Sequence, residues 1–409
     1  MIRQIRGNFA RAGAVGWLLV IGWCTLRSAP DQAADIARLR WYCVVCGDGG
    51  IADVVLNILL FLPLGVMLRA LGWSLKRTFA VALAISIGIE VFQGMLLVGR
   101  DACVGDVLSN TLGGTLGWFG FAGLTRLARP TSVFARFGSI ATVAVMASLW
   151  IATGAGLQPS LTDDAPWIGQ PMHAGRGKQP FPGTLHHATI DGINIPNEEM
   201  AQRAPWRDSI AIELNATRNT AELFTRGIVL LRIVDTAHTV EVAVDQRGDD
   251  AWLRLRVRAA DWRLHYPRWL VPHAMRMTPG VPWRFRWTWL PDRFTIVNEP
   301  IAGPPNPIIS VPLSIGLGWT FIHPFVNQVS GSRLLWTALW LGFWFGLLGW
   351  LAGWLGPQNG VLIGLAAIGT YVGVSLSWGM QVQLSEVVVA VGVYGIATIA
   401  AVMRRDLSP

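Results

Sequence analysis

The feature that most constrains the fold is a series of apolar runs that recur in the first and last thirds of the chain. A helix needs about 20 apolar residues to cross a hydrocarbon core of ~30 Å. Hydrophobic residues make up 52% of the 409 residues, and charged residues only 14%. We predict about eight spans, at roughly 13–26, 51–71, 78–98, 104–124, 137–152, 334–355, 361–378 and 385–403. The sequence therefore predicts an α-helical polytopic membrane bundle.

Basic residues in the short loops predict how these spans are oriented. The first run follows three arginines and lacks a clear small-x-small cleavage site, which indicates an uncleaved anchor with a cytoplasmic N-terminus. The other basic loops then fall on the same side, as the positive-inside rule requires. The residues concerned are Arg3, Arg6, Arg11, Lys76, Arg77, Arg126, Arg129, Arg136, Arg404 and Arg405. Both termini are expected in the cytoplasm, and the net charge of +8 is no evidence for nucleic acid.

Residues 154–330 differ from the rest of the chain in composition and in periodicity. A linker rich in Pro, Gly and polar residues is followed by LRLRVR (253–258) and WRFRWTW (283–289), which alternate apolar and polar side chains. Further alternating segments occur at 209–215, 227–234, 239–244 and 293–299. Short alternating strands separated by turns are typical of an antiparallel β-sandwich. We predict domains at 1–153 (helical), 154–330 (extracytoplasmic β-sandwich) and 331–409 (helical).

Polar side chains interrupt three of the first four spans in pairs that have helical spacing. Residues three or four apart share one side of a helix, and the alternating direction of the spans brings all the pairs to the extracytoplasmic end. We therefore predict an outward-facing polar pocket, in which an arginine of the outer loop is placed to bind an anionic group. The candidate binding residues are Asp53, Asn57, Glu90, Gln93, Arg100, Asp106 and Asn110.

Two interpretations of these polar residues stay open. Ionisable side chains inside a membrane are costly and usually mark a functional site. Acidic residues are also favourable at helix N-termini, so the same residues could instead lock the helices together. The three segments contain no histidine and no metal-ligand spacing, so a hydrolase or transferase here would use carboxylates as acid and base. We expect neither a metal ion nor a cofactor.

The cysteines and the strand arginines each have a structural and a functional interpretation. Cys43 and Cys46 form a C-x-x-C without a surrounding βαβ pattern, which favours a local disulfide or inert thiols over redox chemistry. Cys103 is an alternative partner for either, and Cys24 is interpreted as a small core residue. The alternating arginines indicate solvated strand faces or, alternatively, a surface for an anionic polymer or lipid headgroups. They are Arg254, Arg256, Arg258, Arg284 and Arg286, and Trp283, Trp287 and Trp289 beside them are expected in the core.

The polar pairs and nearby glycines also carry a family resemblance. In order along the chain the motif is Asp53-x-x-x-Asn57-x-x-x-Phe61-x-Pro63-x-Gly65, Glu90-x-x-Gln93, Arg100, and Asp106-x-x-x-Asn110-x-x-Gly113-x-x-x-Gly117. Over roughly residues 10–150 the chain resembles the VanZ-like family, small bacterial multi-span proteins named for a teicoplanin-resistance accessory protein. The resemblance implies a bacterial inner (plasma) membrane protein with a role in the cell envelope or in glycopeptide resistance. The strand region is similar, more weakly, to a concanavalin A-like (laminin-G type) sandwich.

The leading hypothesis is an envelope protein with an outward polar pocket and an external sandwich that binds a glycan or a partner protein. One alternative is a carboxylate-based enzyme that acts on lipid-linked glycan, so whether a reaction is catalysed stays open. A second is a structural scaffold for polysaccharide export or envelope assembly. The expected partners are the lipid bilayer, an envelope glycan or lipid-linked glycan, and an envelope protein.

Overall fold

The computed structural model describes residues 2–27, 42–47, 49–97, 102–161, 166–171, 181–200, 209–219, 227–236, 239–304, 306–323 and 332–407. The chain divides into two compact units. The first consists of Met1–Ala135 with Trp262–His265, and the second of Arg136–Asp261 with Tyr266–Pro409. The domain boundaries expected near residues 153 and 330 stay predictions.

Eight long helices occur in the described part of the chain. They are α1 (Ile2–Thr25), α2 (Gly50–Ala70), α3 (Leu75–Leu96), α4 (Val104–Ala128), α5 (Ser132–Gly156), α6 (Ser332–Gly353), α7 (Pro357–Ser377) and α8 (Leu384–Asp406). All except α1 and α4 contain a stretch long and apolar enough to cross a membrane, which gives six candidate spans within the described residues. Polar residues and glycines lower the hydropathy of α1 and α4. A helical membrane part is thus confirmed, whereas the predicted count of eight spans stays a prediction.

Helices α2 and α4 approach each other closely along a line of glycines in the first unit. A Cβ on Gly113 would lie 2.4 Å from the carbonyl oxygen of Ile58, and one on Gly117 would lie 2.0 Å from that of Leu62. From the opposite side, a Cβ on Gly65 would lie 1.9 Å from the carbonyl oxygen of Gly114. Small residues allow such approach between membrane helices, so these glycines fix how near α2 and α4 pack.

Apolar side chains from three helices fill the space beside this contact. Phe61 and Leu64 of α2, Ala82 of α3 and Ile21 of α1 are buried in one cluster. The indole nitrogen of Trp17 donates a hydrogen bond of 2.7 Å to the carbonyl oxygen of Leu60, which ties α1 to α2. The polar groups of the first unit are therefore held by a packed four-helix frame.

The second unit contains two antiparallel sheets. The five-stranded sheet has the order β1-β5-β6-β7-β8, and the six-stranded sheet the order β11-β10-β9-β4-β2-β3. The strands are β1 (Trp167–Pro171), β2 (Gly183–Ile190), β3 (Ile193–Asn194), β4 (Ile210–Arg218), β5 (Ile228–Asp235), β6 (Val240–Arg247), β7 (Asp250–Leu255), β8 (Arg268–Val271), β9 (Pro282–Trp289), β10 (Arg293–Pro300) and β11 (Ile309–Pro312). A β region with antiparallel strands is confirmed.

Aromatic residues join the two sheets. The ring centroid of Trp269 on β8 lies 5.2 Å from that of Phe294 on β10 and 6.4 Å from that of Trp289 on β9. Trp283, Trp287 and Trp289 are all buried, as expected for core residues. Aromatic side chains bury large apolar areas, so this cluster contributes apolar contact between the two sheets.

The strand predicted at 253–258 ends earlier in the structure. β7 stops at Leu255, Val257 forms an isolated bridge with Pro159, and a 3₁₀ turn begins at Arg258. The backbone amide of Arg256 still donates to the carbonyl oxygen of Glu241 at 2.8 Å, and its guanidinium pairs with Asp261 at 2.7 Å. The alternating pattern continues past the strand end because this bridge still buries Val257.

The last three helices pack with α5 and with a second 3₁₀ helix, Ile315–Phe321. Trp150 of α5 stacks on Phe345 of α6, with ring centroids 5.9 Å apart, and meets Tyr371 of α7 edge-on at 5.2 Å. The turn between β9 and β10 is hydrogen-bonded to the loop between α7 and α8, where Gln381 Nε2 donates to Asp292 Oδ2 at 3.0 Å. Strands and helices therefore form one unit here.

Candidate functional site

The centre of the polar cluster in the first unit is a contact between α2 and α4. Asn57 Nδ2 donates a hydrogen bond of 2.9 Å to Asp106 Oδ1. Both side chains are half-buried, and both helices begin at this end of the unit. Because Asp53 lies one helical turn before Asn57, it projects from the same side of α2. The starts of α2 and α4 thus bring two carboxylates and an amide to one end.

A histidine from the strand-bearing part of the sequence completes this end. His265 belongs to the segment Trp262–His265 of the first unit, and its Nε2 lies 3.4 Å from Asp53 Oδ1. The side chain of Asp53 is 54% exposed and that of His265 is 29% exposed. The three segments themselves contain no histidine, and the fold places one beside them from a residue 212 positions later in the chain.

The backbone of the same segment caps the start of α2. The amides of Ile51 and Ala52 donate to the carbonyl oxygen of Arg263 at 3.0 and 3.4 Å. The first amides of a helix lack partners within the helix, and the N-cap residue Gly49 has no side chain to offer. This capping fixes the segment that carries His265 against the residues that precede Asp53.

Glu90 and Gln93 lie at the end of α3 and accept or donate hydrogen bonds within the protein. Glu90 is 6% exposed, and its Oε2 accepts from the backbone amide of Cys103 at 2.8 Å. Gln93 Nε2 donates to the carbonyl oxygen of Thr25 at the end of α1, also at 2.8 Å. These residues join the end of α3 to the start of α4 and to the end of α1.

Asn110 forms the innermost part of the cluster. It is 2% exposed, and its Nδ2 donates to Ser86 Oγ at 2.9 Å. Its Oδ1 is buried with no hydrogen-bond partner in the described part of the chain. A buried amide oxygen without a partner is costly, so Asn110 offers an unused acceptor below the contact between Asn57 and Asp106.

Six of the seven predicted site residues thus lie at one end of the first unit, where α1 and α3 end and α2 and α4 begin. Arg100 lies outside the described residues. Sequence reasoning missed His265, Ser86 and the amide of Cys103. Ser86 lies one turn before Glu90 on α3, and this helical spacing is a sequence signal that Ser86 belongs to the cluster. Nothing in the sequence connects His265 with Asp53.

The cysteines lie beside this cluster. Cys43 and Cys46 form a disulfide, and Cys103 is buried and lies outside this bond. The Sγ of Cys103 is 2.8 Å from that of Cys46. The local disulfide is the pairing that the C-x-x-C spacing favoured. The interpretation of Cys24 as a core residue is wrong, because its side chain is exposed on α1.

A second buried polar cluster lies in the other unit. Glu386 at the start of α8 is 5% exposed. Its Oε1 accepts from Ser314 Oγ at 2.6 Å, and its Oε2 accepts from the hydroxyl of Tyr371. Its oxygens would also lie against a Cβ on Gly316. This carboxylate fastens α7 and α8 to the turn that precedes the 3₁₀ helix, a role that no motif of the sequence indicated.

The arrangement in the first unit allows two kinds of chemistry. The half-exposed pair Asp53–His265 can accept and donate a proton, which is the property required for general acid–base catalysis. The same groups can bind a polar ligand by hydrogen bonds. Within the described residues there is no group of three or more His, Cys, Asp or Glu side chains placed to hold a metal ion.

Comparison with known proteins identifies the part of the chain that holds this cluster. Residues 15–126 match the model of the VanZ/LLP1 family. The match includes α2, α3 and α4 as far as residue 126, with the six predicted site residues on these helices, and covers less than half of the chain. No curated protein and no solved structure matches the chain. Since the match does not reach the strands, the concanavalin A-like sandwich stays a prediction.

Proposed function

We propose that this membrane protein of VanZ type acts in the bacterial cell envelope and binds a polar envelope component at the cluster around Asp53. In this proposal the cluster faces the extracytoplasmic side of the inner membrane, with both termini in the cytoplasm. The external β region binds a glycan or a partner protein. The observation that carries the proposal is Asp53, which is half-exposed beside His265 and one turn from the Asn57–Asp106 contact.

The exposure of this pair separates it from the rest of the cluster. Glu90, Gln93 and Asn110 are buried and bonded inside the protein, as expected for groups that support a site. Asp53 is 54% exposed, and the imidazole ring of His265 lies beside it. A carboxylate at a helix start is stabilised by the helix dipole alone, but capping does not require a histidine or a second carboxylate nearby. Binding of a polar ligand makes use of all these groups.

The test is complementation of a strain from which the gene has been deleted. Asp53→Asn and His265→Gln should each reduce growth under envelope stress, including teicoplanin, to the level of the deletion strain. Asp406→Asn, an exposed acid at the end of α8, is the matched control and should complement fully. Immunoblots of membranes must show normal amounts of each variant. Full complementation by both variants at normal levels would remove the proposed role of the pair.

An enzymatic function is the second candidate, favoured by the Asp53–His265 contact itself. Such an enzyme would act on lipid-linked glycan, with one group as acid and the other as base. If Asp53→Asn keeps the full activity of the wild type, proton transfer by this carboxylate is excluded.

A structural scaffold is the third candidate, and the observation that favours it is the internal bonding of Asn57, Glu90 and Gln93. A scaffold would copurify with a stable envelope complex and would tolerate every substitution at Asp53 and His265. Complementation and copurification together therefore separate this candidate from the other two.

A further inference from the structure

A groove of about 530 Å³ lies between α5 and α7 in the second unit. One side of each helix lines it, from Arg136 to Ala147 on α5 and from Asn359 to Thr370 on α7. The lining residues recur every three or four positions, as expected for one side of a helix. At a rise of about 1.5 Å per residue, the stretch from Arg136 to Ala147 makes the groove roughly 17 Å long.

The two ends of this groove differ in character. At one end, the first turns of α5 pack near the end of α6, where a Cβ on Gly138 would lie 3.1 Å from Leu351, and from there the chain turns into α7. At the other end, the rings of Trp150 and Tyr371 meet edge-on with centroids 5.2 Å apart. The groove therefore runs from a polar end at Arg136 to an end that is closed by two aromatic rings.

Small side chains keep the groove open between these ends. Ala144 and Ala147 of α5 and Ala366 of α7 line it, whereas Trp150 and Tyr371 follow within the next turns. Ala144 and Ala366 are exposed, and Ala147 is half-buried. The groove is thus open along the outside of the helices, and a ligand can enter it from the surface of the unit.

The middle of the groove is apolar and lies within membrane-spanning segments. Ile140, Val143 and Ile363 contribute to its walls, and Ile140 is 61% exposed. Both α5 and α7 are long and apolar enough to cross a membrane. Side chains in the middle of such a span face hydrocarbon rather than water, so an acyl chain matches the chemistry of these walls.

The volume of the groove also favours an acyl chain over a helix of a partner protein. A helix about 10 Å in diameter would fill roughly 1,300 Å³ over the same length. The groove offers about 530 Å³, which is within the range of roughly 300–1,000 Å³ that is typical of small-molecule sites. A single flexible hydrocarbon chain is narrow enough to lie between the two helices.

The polar end of the groove favours a negatively charged headgroup. Arg136 is exposed at this end, and the residues that line the groove include no acid. Helix α7 begins here, and its N-cap residue Gly356 has no side chain to accept from the first amides of the helix. Arginine side chains and helix N-termini both bind phosphate groups. Basic pockets between membrane helices on the cytoplasmic side, where the proposed orientation puts this end, bind anionic lipids.

We infer that the groove between α5 and α7 binds an anionic phospholipid. The phosphate of the lipid pairs with Arg136 beside the first turn of α7, and one acyl chain lies along Ala144 and Ala366 toward Trp150. An arginine at the end of a span can also serve only to orient that span, a role that would not depend on the groove. The inference goes beyond the proposed function, concerns the second unit alone and does not depend on the Asp53–His265 pair.

The test measures binding of phosphatidylglycerol to the full-length protein in a neutral detergent by native mass spectrometry, with phosphatidylcholine as the reference lipid without net charge. Arg136→Gln should weaken binding of phosphatidylglycerol about tenfold, the effect of losing a charge-assisted hydrogen bond, and should remove its advantage over phosphatidylcholine. Ala144→Leu should weaken binding of both lipids, because it fills the groove and leaves every charge in place.

Two matched controls separate the groove from general effects of charge and size. Arg77→Gln removes an exposed arginine at the start of α3, and Ala141→Leu enlarges an exposed alanine of α5 that does not line the groove. Each control should change the affinity for phosphatidylglycerol less than twofold.

Two results would overturn the inference. The first is wild-type affinity in both Arg136→Gln and Ala144→Leu; both variants replace exposed side chains, so they should elute as single folded species. The second is an equal loss in Arg136→Gln and Arg77→Gln, which would mean that the lipid responds only to overall charge. Loss of lipid binding with normal complementation by the gene would leave the role of Asp53 intact.

Discussion

Three deeply buried polar residues of the first unit each contact a polar partner on another helix or turn. Glu90 bonds to a backbone amide, Gln93 to a backbone carbonyl and Asn110 to a hydroxyl. Hydrogen bonds in a low-dielectric surrounding are strong, and removal of one partner leaves the other with its full desolvation cost. These residues consequently determine how the helix ends fit together.

Glu90 provides a direct measure of this effect. Glu90→Gln retains an oxygen that accepts from the amide of Cys103, so we expect a small loss of stability. Glu90→Leu leaves that amide buried without a partner and should cost about 1–3 kcal/mol. Thermal unfolding in detergent measures both. Equal melting temperatures for the two variants would contradict the role assigned to this hydrogen bond.

Glycines decide the packing of elements in the first unit. Gly113 and Gly117 lie on the side of α4 that faces α2, and their missing side chains allow backbone atoms to touch. Gly120 lies on the same helix with no atom within 4 Å of its Cβ position. The spacing of the glycines in the sequence predicts close approach by α4, but only the structure identifies α2 as the helix that it meets.

This pair of positions gives a matched experiment. Gly113→Ala places a methyl group 2.4 Å from the carbonyl oxygen of Ile58, so the helices must separate. We expect a loss of about 1–3 kcal/mol, the cost of overpacking. Gly120→Ala should be neutral or slightly stabilising, because alanine favours helix more than glycine does. Chemical denaturation measures the free energy of unfolding of both variants. A Gly113→Ala protein as stable as Gly120→Ala would contradict the close packing of α4 against α2.

At the scale of the whole molecule, contacts distant in sequence hold the strands and the last helices of the second unit together. Asp292, in the turn between β9 and β10, accepts from Gln381 at 3.0 Å and pairs with Arg293 at 2.7 Å. Burial tends to raise the pKa of Asp292, but the hydrogen bonds from Arg293 and Gln381 outweigh it, so this pKa lies below its usual value.

A lowered pKa makes this contact dependent on pH. The stability that ionised Asp292 contributes is fully present above the pKa of an unfolded aspartate, about 3.9, and is lost as the pH falls through the lower folded value. The difference in unfolding free energy between wild type and Asp292→Asn should therefore be constant from about pH 5 to 8 and shrink below about pH 4. Unfolding curves at several pH values measure it. A difference that grows as the pH falls would contradict a lowered pKa for Asp292 in the folded protein.

The local sequence pattern determined most of the elements. Hydrophobic runs and two-residue alternation depend only on neighbouring residues, so the eight helices and the antiparallel strands follow from it, with errors at ends such as Leu255. Helical spacing likewise placed Asp53 with Asn57 and Asp106 with Asn110. The tertiary structure alone decided which side chains meet across long distances, because His265 reaches Asp53 through the path of the whole chain. Strand register likewise aligns Arg232, Arg254 and Arg268 in one row across β5 to β8. The local sequence of each strand does not specify this register.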